Sequence, residues 1–239
     1  MLVFSRSTRL RSAAVLLVAI ATLAVYNLAG NNALAASPGA SPAVAHDHDR
    51  PEHEQTARLS AQQLAFHDGM RKLWEDHITW TRLFIVSFAA GLPDADATTQ
   101  RLLQNQTDLG NAIKPFYGDA AGRRLTALLR EHILIAADLL QAAKASDSAG
   151  VADASARWYA NADQIATFLH RANPGEWPLD EMKLMMRKHL DLTLAEAVAR
   201  LHGDWPADIA AYDQVHQEIL QMADMLSAGI IHQFPKKFK

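Results

Sequence analysis

Three pentapeptides place a histidine in the same setting. LWEDH ends at His77, LLREH at His132 and MMRKH at His189, 55 and 57 residues apart. Imidazole titrates near neutral pH and is a common ligand of divalent transition metals, so a recurring histidine is a chemical signal. His77 shares a helical face with Leu73, Trp74, Thr81 and Phe84. His132 shares one with Leu125, Leu128, Leu129, Ala136 and Leu139, and His189 with Met182, Met185, Met186 and Thr193. Each ring therefore projects from a mainly apolar stripe and is expected in a core, where it needs a polar partner.

A second set of polar residues answers the first. Asn105, Asn161 and His216 follow the histidines by 28, 29 and 27 residues, each with Leu109, Ile165 or Leu220 four positions on. At about 1.5 Å of rise per residue, the two members of each pair differ in height by only about 5 Å in a helical hairpin. Six polar side chains in one layer of the core are the expectation. The third pair also carries acids where the others are apolar. Glu196 takes the position of Phe84 and Leu139, Asp213 that of Leu102 and Trp158, and Asp224 that of Ile113 and Leu169.

His189, His216, Asp213 and Glu196 thus form a candidate mixed nitrogen and oxygen site for a divalent transition metal (Zn, Cu, Ni or Fe), with His77 and His132 as secondary ligands. Asp224 lies a further ~12 Å along its helix and is left out. Asn105 and Asn161 are the structural members of the layer. The competing reading is that the layer only fixes helix register and that a terminal repeat is more polar because one side is uncovered.

The elements that must position these residues are helices. From Ser60 onward apolar residues recur at helical spacing with almost no β-branched runs. Six helices are predicted: 60–90, stopped by Gly91 and Pro93; 94 to just before Pro115; 119–145; 149–171; 178 or 180 to 202; and 206 to before Pro235. Short connections make successive helices antiparallel, so the fold class is all-α, with three tandem hairpins of about 56 residues in a bundle or short array.

Upstream, Arg6, Arg9 and Arg11 precede the apolar run 13–29, and Ala33 and Ala35 form a small-residue cleavage site. This is the order of a secretory signal. Residues 1–35 are read as a signal peptide or N-terminal anchor, 36–59 as a flexible tether and 60–239 as one helical domain outside the cytoplasm. An uncleaved signal would tie the chain to a membrane through 13–29 alone. The tether contains HDHDRPEHE, whose His46, His48 and His53 could collect metal loosely.

Composition narrows the function classes. A net charge of −3 with no basic run gives no electrostatic case for nucleic acid. The absence of cysteine excludes thiolate sites, thiol nucleophiles and disulfides. There is no nucleophile elbow, H-E-x-x-H, Walker loop or dinucleotide glycine pattern. Asp213 beside His216 is the one acid/base pair, and no catalytic residue is assigned.

The segments DHITWTR, KPFYG, WYANADQIATFL, YDQVHQEILQMADML and QFPKKF, spread over residues 73–238, resemble a poorly characterised family of secreted bacterial helical proteins. The resemblance implies the fold and export and carries over no activity. The expected function is an exported binding module for a metal, a small ligand or a protein partner. A purely structural or interaction module and a metal-dependent enzyme are the alternatives.

Overall fold

The computed structural model describes residues 59–239, so the proposed signal, anchor and His-rich tether lie outside the described residues. Helix α1 spans Ala61–Ala90. Its N-cap Ser60 accepts a hydrogen bond from the Gln63 amide while the Gln63 side chain accepts from the Ser60 amide, a reciprocal capping box. Gly91 ends α1 with a left-handed φ of 65°. Helix α2 spans Ala95–Lys144, α3 Ser148–Ala172, α4 Leu179–His202 and α5 Trp205–Gln233, and a 3₁₀ turn covers Pro235–Phe238. Asp147 and Asp204 cap α3 and α5 by accepting from the amides of Gly150 and Ala207.

The chain is an all-α bundle, but the described residues form five helices rather than six. The expected second and third helices run together as α2, which carries Pro115 within it and joins two helical stretches across a kink. The break falls on a single residue, Gly118, with φ 83° and ψ 168°. The chain doubles back there. A Cβ built on Gly110 would lie 2.6 Å from the Gly122 carbonyl oxygen, whereas twelve residues of straight helix would separate these positions by about 18 Å. Two glycines let the two halves of α2 touch backbone to backbone.

Helix α1 packs on α2 and α5, α2 on α3, α3 on α4 and α4 on α5, which closes a ring, and α1 also meets α4 across the centre. The core includes Met70, Trp74, Ile78, Leu109, Leu128, Trp158, Ile165, Met182, Leu190, Ile219 and Met222. One end is sealed by aromatic rings. Phe116 packs against Phe66, Phe234 and Phe238, and Tyr117 against Phe234 and Trp177. The Ser60 hydroxyl donates to the Phe238 carbonyl at 3.3 Å, joining the start of the bundle to its end. Among the described residues no helix is long and apolar enough to cross a membrane.

The glycine contact in α2 is directly testable. Gly110→Ala would bring its methyl 2.0 Å from Thr126 Oγ1 and 2.6 Å from the Gly122 oxygen, and only the threonine can rotate away. A loss of about 1–3 kcal/mol is expected in urea unfolding. Gly69→Ala on the exposed face of α1 meets nothing and should raise stability by up to about 1 kcal/mol.

Candidate functional site

Histidines 77, 132 and 189 are all buried, at 3–4 % exposure, and they converge. The His77 and His189 ring centres are 5.9 Å apart and those of His132 and His189 6.5 Å. Each ring is held through Nδ1 by a side chain 29 residues further on. The partner is Gln106 Nε2 at 3.2 Å for His77, Asn161 Oδ1 at 2.9 Å for His132 and Glu218 Oε2 at 3.0 Å for His189.

The partners differ in what they impose. Asn161 commits its amide nitrogen to the Leu128 carbonyl, so its oxygen accepts from His132 Nδ1–H and leaves that ring's lone pair on Nε2. In the first pair two residues share this work. Asn105 donates to the Leu73 carbonyl at 2.9 Å, and Gln106 faces the ring. The Gln106 amide nitrogen also donates to the Leu102 carbonyl and to Asn105 Oδ1, while its own Oε1 is buried without a partner. In the third pair a carboxyl replaces the amide. Glu218 is 4 % exposed, its Oε1 has no hydrogen bond, and His189 is its one ion-pair partner among the described residues.

All three imidazoles line one narrow cavity of about 30 Å³. It runs from the rings toward Tyr117, Leu169, Trp177 and Ile230 at the aromatic end. The indole Nε1 atoms of Trp74 and Trp177, two more of its lining residues, are buried without an acceptor. By volume the space admits one ion or one or two waters, since a water needs roughly 10–15 Å³ on this scale. Burial pushes His77 well below the usual imidazole range, helped by repulsion from His189 and His132. Burial, then His189, lowers His132 to about 3. Both rings are neutral at physiological pH.

The four residues expected as principal ligands are not brought together. His189 lies in the cavity, but His216 is half-buried at the surface with its Nε2 3.2 Å from Glu75 and its ring stacked on Tyr212. Asp213 is exposed. Glu196 is fully buried in a different cluster, where Arg82 Nη1 bonds its Oε1 at 3.0 Å and also binds Asp208, which Arg200 meets at 3.2 Å. The two residues expected as secondary ligands, His77 and His132, are central instead. Asp224 pairs with Arg71 and His67. Among the described residues no three His, Asp or Glu side chains are grouped closely enough to hold a metal ion as they stand.

Gln106 and Glu218 are the residues that spacing could have found. Gln106, Asn161 and Glu218 are 55 and 57 residues apart, the same intervals as the three histidines, whereas Asn105, Asn161 and His216 only approximate them. Glu218 also lies within the buried stripe of Val215, Ile219 and Met222. In this register Val215, rather than Asp213, occupies the place of Trp158. Comparison of the chain with protein-family models, curated proteins and solved structures returns no match.

The shifted groups set a pH profile. His77 and His132 are lowered in the native state, so between pH 6.5 and about 4.5 the unfolded chain gains two protons that the core refuses. Glu196 is raised to about 7 from 4.5, by burial above all, so in the same window the native state holds one proton more. Stability should fall as pH drops below 6.5, with a net slope of one proton from these groups, steepening below 4.5. His132→Gln should lessen that slope by one proton, about 1.4 kcal/mol per pH unit, in urea titrations between pH 4 and 6.

Proposed function

We propose that the protein is an exported binding module that holds one divalent transition-metal ion among His77, His132 and His189. The observation that carries this reading is the common engagement of Nδ1 by a side chain of the following helical segment, around one shared cavity. Metal-bound imidazoles are oriented in this way, with one nitrogen bonded to an amide or carboxylate and the other left for the ion. Glu218 supports it further, because a buried carboxylate calls for a counter-charge and no Lys or Arg among the described residues supplies one. At His77 it is the Gln106 amide nitrogen that meets Nδ1, so this ring would free its Nε2 lone pair only with Gln106 turned, at the loss of the bonds that nitrogen gives to the Leu102 carbonyl and Asn105 Oδ1. Zinc, copper, nickel and iron are the class of ion that imidazole suits.

The offset of 29 residues in all three pairs supports an origin in tandem copies of one helical hairpin. The Arg-rich start, apolar run and alanine site support export, so the site would fill outside the cytoplasm. A second reading, a polar layer that only sets helix register, is favoured by the ring spacing. Rings sharing one zinc ion are roughly 5 Å apart centre to centre for Zn–N bonds of about 2.0–2.1 Å, so these must close by about 1 Å.

Metal titration decides between the two. The purified chain is expected to bind one zinc, copper, nickel or iron ion, and a hundredfold excess over Kd should raise the melting temperature by roughly 5–10 °C. His132→Gln with His189→Gln should abolish both effects, whereas His216→Gln should leave them intact. A wild type that takes up none of these ions establishes the structural layer instead.

A further inference from the structure

Beyond the histidine layer, on the side away from the aromatic end, lies a second narrow cavity of about 40 Å³. The residues four positions after each histidine all line it: Thr81, Ala136 and Thr193. So do the residues eight positions after: Ile85, Leu140 and Ala197. The space therefore sits where the three histidine-bearing segments meet, about one helical turn past the rings. Its size traces to alanines. Ala136 stands where the other two segments carry threonine, and Ala197 where they carry Ile85 and Leu140. Ala143, also on the wall, stands where they carry Phe88 and Arg200. Protein interiors are close-packed, and a small residue at three matching places leaves room that larger ones fill.

The wall sets the chemistry of a guest. Among the described residues no charged side chain lines this cavity. Thr81 and Thr193 spend their hydroxyl protons on the His77 and His189 carbonyls, and Trp158 Nε1 is the one unpaired side-chain donor on the wall. A cavity needs several convergent polar groups to hold water, and apolar ones stay dry and take up apolar molecules. With a water at roughly 10–15 Å³ on this scale, the space admits about three or four heavy atoms.

We propose that this cavity is a binding site for one small, uncharged apolar molecule, of the size of dioxygen or a three-carbon hydrocarbon. A guest there touches a neighbour of every ring in the layer. Thr81 and Thr193 are bonded to His77 and His189, and the Trp158 ring lies 5.3 Å from that of His132. The site uses no atom of the three imidazoles and stands apart from the metal reading.

Xenon tests it, with the methyl NMR signals of Ile85, Ile133 and Leu139 on the wall as the readout. Saturable shifts with xenon pressure are expected in the wild type. Ala197→Ile, which restores the bulk carried by the other two segments, should abolish them and hold the melting temperature, because its added carbons enter empty space. Should that variant fail to fold, Ala136→Thr makes the same test, with its hydroxyl placed to return to the His132 carbonyl as Thr81 and Thr193 do to theirs. Displacement of xenon by dioxygen or by propane then distinguishes the two classes of guest, and displacement by neither overturns the proposal. Wild-type methyls indifferent to xenon overturn it too, as do shifts confined to Ile113, Ile165 and Ile230 around the histidine cavity. A folded filling variant that binds xenon as the wild type does rejects this cavity as the site.

Discussion

Three imidazoles inside an apolar bundle are the constraint around which the interior is arranged. A neutral imidazole still carries one donor and one acceptor, and leaving either unmet in a core costs on the order of 1–3 kcal/mol. The fold meets one nitrogen of each ring with a dedicated side chain, at 2.9 to 3.2 Å. Those partners are themselves restrained. Asn105 and Asn161 both reach the carbonyl four residues before their histidine, so each amide bridges two helical rods. Thr81 and Thr193 return their hydroxyls to the carbonyls of His77 and His189, one turn away. The layer thus ties α1, both halves of α2, α3, α4 and α5 at a common depth.

The departures from threefold regularity lie in the charges. Glutamine and asparagine serve the first two rings, and a glutamate serves the third. Above the layer, Glu196 and Asp208 enter the core with Arg82 and Arg200 in place of apolar side chains. Their network is compensated by guanidinium groups, and Arg82 also lies over the Tyr212 ring and Arg200 over Trp205. Glu218 has no such cation among the described residues. That contrast between two buried acidic sites, one neutralised by arginine and one facing only an imidazole, sets the cavity apart from ordinary core structure.

The helices, their caps and the burial of the three histidines were legible in the chain. Ser60, Gly91 and Gly203 mark ends that hydrogen bonding and backbone angles bear out, whereas Asp94, expected to cap the second helix, makes no side-chain capping bond at the start of α2. A proline is expected to end a helix, yet Pro115 lies within α2 and the reversal falls on Gly118. The partners were harder to read. Asn161 is where spacing put it, Asn105 shares its task with the next residue, and His216 is displaced by Glu218. A glutamate in an apolar stripe reads as a surface residue because carboxylates are rarely buried, so the more conventional histidine drew the assignment.

Local rules therefore settled what each segment becomes and which face of α1, α2 and α4 turns inward, because helical periodicity converts residue spacing directly into direction. Which polar groups meet was settled only by the closed ring. Positions 216 and 218 differ by about 200° around a helix, so a two-residue change of register exchanges core for solvent. That register depends on how α5 lies against α4 and α1, and through the Gly118 reversal on how both halves of α2 face α1 and α3. Contacts between segments far apart in the chain decide it, and no short stretch of sequence contains them.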